Sequence, residues 1–196
     1  MSNNIHSIST NGSQQTLSMN PKKFALWLFI GTVIMLFGSF TSAFIVMASE
    51  KAIQEIQLPG SLLTSTIIIL VSSITMQLSL YFAKKDELRK ITLFIAITLL
   101  LGTAFLVFQF QAWEELVLSN VTFVSNNPTG SFIYVFTGLH GLHIISALIF
   151  LMVVLIASVR LRIHSKKLSQ IEMCVTYWHF LGILWVYLYI FLLVNF

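Results

Sequence analysis

Charged side chains are scarce in this chain of 196 residues: 9% are Asp, Glu, Lys or Arg, whereas 57% are hydrophobic. Soluble domains carry about a quarter charged residues. A shortage of this size excludes a globular protein with a wetted surface and predicts an integral membrane protein. The net charge of +4 does not indicate nucleic-acid binding, because the basic residues stand in short clusters between apolar runs, as they do in membrane loops.

Cysteine is almost absent as well. Cys174 is the single cysteine, so no disulfide forms within the chain and no second thiol is available for a metal site. A cleavable signal peptide is not apparent, because the first apolar run follows Lys22 and Lys23 and is too long for the apolar part of such a peptide. We expect this run to be the first membrane helix, preceded by a flexible polar tail over residues 1–23.

Five apolar runs are long enough to cross a membrane as helices, since a crossing takes about 20 apolar residues. The runs show neither the strict alternation nor the short length of strands in an outer-membrane barrel. The predicted fold is therefore an all-α integral membrane protein, a bundle of five transmembrane helices over residues 24–196, with no soluble domain left over. The predicted spans are 24–48, 61–83, 91–112, 130–159 and 172–195.

The basic residues are distributed unevenly between the two sides of the predicted membrane. Ten of the 11 lie before the first span, in the loop after the second span or in the loop after the fourth span. Cytoplasmic loops are enriched in Lys and Arg. The pattern therefore predicts a cytoplasmic N-terminus and a C-terminus outside.

The stretch TGLHGLH, residues 137–143, puts His140 and His143 in apolar surroundings. Three residues apart, they share one face of a helix, so they cannot be the two axial ligands of one haem. A metal site would need further ligands at the same depth, and a proton relay would need a carboxylate at the centre of a span, which no span carries. Polar side chains are costly in hydrocarbon. For these histidines we favour a role in interhelical hydrogen bonding or lipid contact. The alternatives are a minor part in proton handling and a role as a ligand.

The fifth run carries a third histidine among aromatic residues. His179 follows Trp178 in the sequence YWHF, and Trp185 comes six residues later. Glu172 lies seven residues before His179, on the same helix face near the inner end, where its carboxylate can meet an imidazole or the basic inner loop. We expect the histidines of the fourth and fifth helices to form a polar seam between these two helices.

The outer loop predicted over residues 113–130 is the longest connection. We expect Trp113 to anchor the chain at the membrane boundary, as tryptophans of the aromatic belt do. Glu114 is expected on a solvated face of this loop.

Three segments resemble subunit III of the haem-copper terminal oxidases, and the resemblance covers essentially the whole chain after residue 24. The family pattern in these places is similar to Gln-Ala-x-Glu, then Thr-Gly-x-His-Gly-x-His, then a Glu seven residues before the His of Tyr-Trp-His-Phe. The matching segments are QAWE at 111–114, GSFIYVFTGLHGLHIISALIFL at 130–151 and IEMCVTYWHFLGILWVYLY at 171–189. Five spans match the short bacterial form of the family.

The resemblance implies structural residues and no catalytic ones. Those carried over as structural, lipid-contacting or subunit-contacting are Glu114, His140, His143, Glu172, Trp178, His179 and Trp185. Two positions depart from the family pattern. Val33 stands where relatives usually carry a glutamate, and Gly182 stands where they usually carry an aspartate, which argues against a proton-linked role assigned through those carboxylates.

The function implied by the resemblance is that of a non-catalytic subunit of a respiratory oxidase that reduces oxygen to water and pumps protons. It implies no cofactor in this chain, with haems and copper in partner subunits I and II. It also implies bound phospholipid and a place in the bacterial cytoplasmic membrane. The alternatives are an accessory subunit of a nitric oxide reductase and a stand-alone lipid-binding or transporter-like membrane protein. No nucleic-acid partner is expected.

Overall fold

The computed structural model describes residues 21–50, 58–85, 87–123, 128–160 and 169–195, and these ranges contain five helices and no strand. Each helix is long and apolar enough to cross a membrane, which confirms the predicted all-α bundle of membrane helices. The direction of insertion stays a prediction from the basic residues. The helices are α1 (Pro21–Glu50), α2 (Gly60–Lys84), α3 (Leu88–Leu118), α4 (Pro128–Val159) and α5 (Ser169–Asn195).

The N-terminal ends of two helices coincide with proline. α1 begins at Pro21 and α4 begins at Pro128. Proline suits the first helical position because its ring fixes φ near the helical value and its missing N–H has no intrahelical partner there. α1 therefore starts three residues before the predicted span. Residues 1–20 of the predicted polar tail lie outside the described residues.

The C-terminal end of α3 differs from the prediction. The helix continues through Glu114 to Leu118, six residues past the predicted span, because hydropathy reports the membrane-crossing length and not the helix length. It ends in a Schellman motif. Asn120 adopts a φ of 60°, its N–H donates to the Val117 carbonyl, and the Val121 N–H donates to the Leu116 carbonyl at 2.9 Å.

α5 lies in the middle of the bundle, in contact with α1, α2 and α4, while α3 lies between α2 and α4. Large α5 side chains are accordingly buried, among them Trp178, Trp185 and Leu188. The α2–α3 pair has the most extensive contact, and α1 has smaller contacts with α4 and α5. α5 thus contacts each of the other four described helices, since Trp185 also packs on Phe105 of α3 with 5.1 Å between ring centroids.

Gly102 of α3 lies where three helices approach each other. A Cβ placed on it would lie 2.6 Å from Cη2 of Trp178 on α5 and 2.7 Å from Cδ2 of Leu148 on α4. A glycine is therefore required for the indole to fit against α3. The hydroxyl groups of Thr75 and Thr98, which lie 2.8 Å apart, add a hydrogen bond between α2 and α3.

Candidate functional site

His140 lies at the junction of four helices with its imidazole enclosed by aromatic rings. Its ring centroid is 5.0 Å from that of Trp185 on α5, 5.9 Å from that of Phe105 on α3 and 6.5 Å from that of Phe37 on α1. The side chain is fully buried, and neither ring nitrogen has a hydrogen-bond partner among the described residues. His140 contributes ring packing in this structure rather than the expected interhelical hydrogen bond.

His143 faces α1. Its Nδ1 lies 2.7 Å from the Leu139 carbonyl oxygen of its own helix. Its ring contacts those of Phe29 and Phe37, at centroid distances of 6.2 Å and 5.9 Å. The three-residue spacing therefore places His140 and His143 along the same side of α4, but they meet different surroundings.

His179 faces α2, where its Nε2 lies 3.1 Å from Oε1 of Gln77. The predicted polar seam of histidines between the fourth and fifth helices is therefore wrong. The hydrogen bonds that join α4 to α5 come from Tyr177, whose hydroxyl lies 2.7 Å from Oγ of Ser146 and donates to the His143 carbonyl at 3.4 Å. Residue spacing gives the face of a helix, whereas the neighbour on that face is set by the packing of the whole bundle.

The two buried tryptophans of α5 are fixed by hydrogen bonds to hydroxyl groups of α2. The Trp178 indole N–H donates to Ser72 Oγ at 3.1 Å, and the Trp185 indole N–H donates to Thr66 Oγ1 at 3.0 Å. A buried indole needs such an acceptor because its N–H is otherwise left without water. These two contacts orient α5 on α2. The serine and threonine partners were missed in the sequence, where only the seven-residue spacing of Ser65, Ser72 and Ser79 could have indicated a polar face on α2.

Trp113 joins α3 to the start of the TGLHGLH stretch. Its indole N–H donates to Thr137 Oγ1 at 2.9 Å, so the half-buried side chain holds two helices together, in addition to any anchoring at the boundary. Glu114 is exposed on the helical end of α3, not in a loop as predicted. The QAWE segment and the histidine stretch are thus in direct contact.

Glu172 forms an ion pair with Lys23 of α1, with a distance of 2.7 Å between Oε2 and Nζ. Within the described part of the chain no hydrogen bond joins it to His140, His143 or His179, and residues 161–168 of the predicted basic loop lie outside the described residues. Lys23 and Glu172 border an open crevice of about 360 Å³ between α1, α2 and α5. The other lining residues are Leu26, Trp27, Leu80, Lys84, Met173, Val175 and Thr176.

The two positions expected to depart from the family pattern are both buried. Val33 is 2% exposed in the apolar core. A Cβ on Gly182 would lie 3.1 Å from Ser73 Oγ on α2, so an alanine there would require the Ser73 side chain to shift by a few tenths of an ångström. Among the described residues, no group of three or more His, Cys, Asp or Glu side chains is arranged to hold a metal ion.

The chain is similar to known proteins of one family over nearly its whole length. Residues 3–195 match the family model described as Cytochrome c oxidase subunit III. The chain is 26% identical over 179 residues to cytochrome c oxidase subunit 3 of Bacillus sp. (strain PS3), covering 89% of this chain and 86% of that protein. It is 24% identical over 197 residues to cytochrome bo(3) ubiquinol oxidase subunit 3 of Buchnera aphidicola, covering 98% and 96%. It is 25% identical over 167 residues to quinol oxidase subunit 3 of Bacillus subtilis, covering 83% and 81%.

Proposed function

The chain belongs to the cytochrome c oxidase subunit III family, and on that premise we propose that it is an accessory subunit of a proton-pumping haem-copper oxidase in a bacterial cytoplasmic membrane. The complex reduces oxygen to water, and this chain stabilises the catalytic subunit and sustains proton uptake. The observation that carries the proposal is the family match, which spans residues 3–195 and therefore includes all five helices.

The polar groups inside the bundle form hydrogen bonds between helices, and this supports a structural role for the chain. Trp178 and Trp185 donate to hydroxyls of α2, and Trp113 donates to Thr137. The three membrane histidines do not converge, because His143 faces α1, His179 faces α2 and His140 is enclosed by rings. We therefore assign the haems and copper of the complex to partner subunits I and II, against which this chain packs.

Bound phospholipid is part of the same proposal, and the crevice between α1, α2 and α5 supports it. Two lysines, Lys23 and Lys84, line the crevice beside the exposed indole of Trp27. Ammonium groups attract a lipid phosphate, and tryptophan is favoured at the boundary between headgroups and hydrocarbon. With the N-terminus in the cytoplasm, this crevice lies at the inner leaflet.

Affinity purification of a tagged chain from its native membrane tests the function. We expect the chain to bring down a complex that contains the large haem-copper subunit, shows haem absorbance and consumes oxygen. The chain expressed alone should show no haem absorbance. Purification of the chain alone with stoichiometric haem would contradict the proposal, and a complex that reduces nitric oxide instead of oxygen would favour the reductase alternative.

A further inference from the structure

Gln77 of α2 and His179 of α5 form a hydrogen-bonded pair at the surface of the bundle, where Gln77 is exposed and His179 is half-buried. His179 lies seven residues beyond Glu172, and Gln77 lies seven residues before Lys84. At 1.5 Å of rise per residue, the pair is about 10 Å deeper than these charged side chains. The hydrocarbon core of a bilayer is about 30 Å thick, so the pair lies within it.

The hydrogen-bonding capacity of this pair is only half used. The contact joins His179 Nε2 to Gln77 Oε1, while Gln77 Nε2 and His179 Nδ1 have no partner among the described residues. Several exposed hydroxyl side chains of the spans behave differently, because they donate to carbonyls of their own helix. Thr32, Ser39 and Thr103 do so. A free amide in hydrocarbon is costly, so the Gln77 amide indicates a covered surface.

The pair lies on a continuous strip of α5 between α1 and α2. Thr176, one turn before His179, lines the crevice at the charged end. Ile183, one turn after His179, is 71% exposed. Tyr187 follows, and its hydroxyl donates to Thr41 Oγ1 of α1 at 3.3 Å. Residues three and four apart share a helix face, so His179, Ile183 and Tyr187 form one surface, which begins where the crevice ends and which we call the α5 strip.

We propose that the α5 strip, together with Gln77, is the surface on which a transmembrane helix of another subunit docks. That helix is apolar except for one hydrogen-bonding side chain opposite Gln77. Acyl chains offer neither donors nor acceptors, so lipid covering this depth would leave the amide unsatisfied, whereas a helix with a polar side chain satisfies it. The inference rests on the proposed function, since it takes the occupant to be a subunit of the haem-bearing complex.

Site-specific photo-cross-linking in the intact, tagged complex tests the surface. The photoreactive amino acid benzoylphenylalanine replaces Gln77 in one variant and Ile183 in another, and it replaces Leu100 of α3, which is 69% exposed, in a control. After illumination in native membranes, we expect an adduct with a haem-bearing subunit from both strip positions and no protein adduct from Leu100. Peptide mapping of the adduct identifies the docked helix.

Adducts with lipid alone, or with a second copy of this chain, at both Gln77 and Ile183 would overturn the docking surface. A tagged chain that retains no haem-bearing subunit before illumination would instead contradict the proposed function, so the two failures are distinguishable. A second measurement uses Gln77→Leu, which removes the polar pair without adding a bulky probe. We expect it to raise the dissociation constant for the partner subunit about threefold, as loss of one hydrogen bond between membrane helices does, with Leu100→Ala unchanged. An unchanged constant in Gln77→Leu would also count against the surface.

Discussion

The indole N–H of Trp185 donates to Thr66 Oγ1 at 3.0 Å, joining the middle of α5 to the N-terminal half of α2. The same indole lies 5.0 Å from the ring of His140 and 5.1 Å from that of Phe105, centroid to centroid. One side chain therefore connects α5 to α2, α3 and α4. Because the side chain is fully buried, a substitution at this position alters the packing against all three of these helices.

Replacing Trp185 with phenylalanine removes this hydrogen bond and leaves a cavity beside His140. We expect Trp185→Phe to destabilise the fold by about 1–3 kcal/mol, which is the usual cost of an unmet buried polar group together with a small cavity. Thermal unfolding of the chain in detergent can be followed with a thiol-reactive dye, since Cys174 is the single cysteine and is 2% exposed. Trp27→Phe is the matched control, because Trp27 is 63% exposed. Equal melting temperatures for the two variants would contradict the prediction that the buried indole of Trp185 stabilises the fold.

Gly102→Ala is expected to lower the melting temperature although alanine favours helices. The added methyl carbon would lie 2.6 Å from Trp178 and 2.7 Å from Leu148, so α3 and α5 would have to separate. Gly38→Ala is the control, because a Cβ on Gly38 meets nothing within 4 Å, and there the gain in helix propensity is unopposed. The same thiol measurement compares them. A Gly102→Ala chain as stable as the Gly38→Ala chain would mean that the indole of Trp178 repacks freely.

The helices could be predicted from the sequence because a membrane fixes both the length and the composition of a crossing segment. Their ends could not be predicted as well. The apolar run of α3 ends at Ala112, yet the helix continues to Leu118, where Asn120 closes it in a left-handed conformation. Asparagine accepts that conformation more readily than most residues. Asn120 was therefore a readable stop signal, but hydropathy alone does not register it.

The partners of the site residues were harder to predict. Periodicity placed His140 and His143 on one face of α4, and this face does border α1 and α5. Periodicity does not reveal that α5 contacts several helices at once, so that His179 meets α2 instead of α4. The hydroxyl of Tyr177, not an imidazole, joins α4 to α5. A sequence read one helix at a time contains no information on which of several neighbours a given face will meet.

His143→Ala and His179→Ala should weaken the association of this chain with its complex or hasten the loss of oxidase activity during turnover. The first change removes ring contacts with Phe29 and Phe37 of α1, and the second removes the hydrogen bond to Gln77. The haem absorbance of the complex should stay unchanged in both, because neither residue is proposed to bind haem. An altered haem spectrum in either variant would mean direct ligation and would contradict the structural assignment.

Reversing the ion pair between Lys23 and Glu172 should change stability little. Their side chains are 46% and 36% exposed, and exposed ion pairs contribute at most about 1 kcal/mol. We expect Glu172→Lys alone to lower the melting temperature slightly at low salt. The double variant with Lys23→Glu should recover most of that loss. Salt at about 0.5 M should remove most of the difference, because it shortens the Debye length to roughly half its physiological value. A large loss that the second substitution does not recover would show that Glu172 contacts something other than Lys23.

His140→Phe distinguishes a packing role from a binding role at the centre of the bundle. Both ring nitrogens lack partners among the described residues, and the imidazole contacts the rings of Trp185, Phe105 and Phe37. Replacing an unsatisfied buried polar group with an apolar ring of similar shape is nearly neutral or stabilising. We therefore expect His140→Phe to melt at the same or a higher temperature than the unmodified chain, whereas His140→Ala, which leaves a cavity, should melt lower. If His140→Phe destabilises the chain as much as His140→Ala does, the imidazole nitrogens have a partner, such as ordered water, and His140 is more than a packing residue.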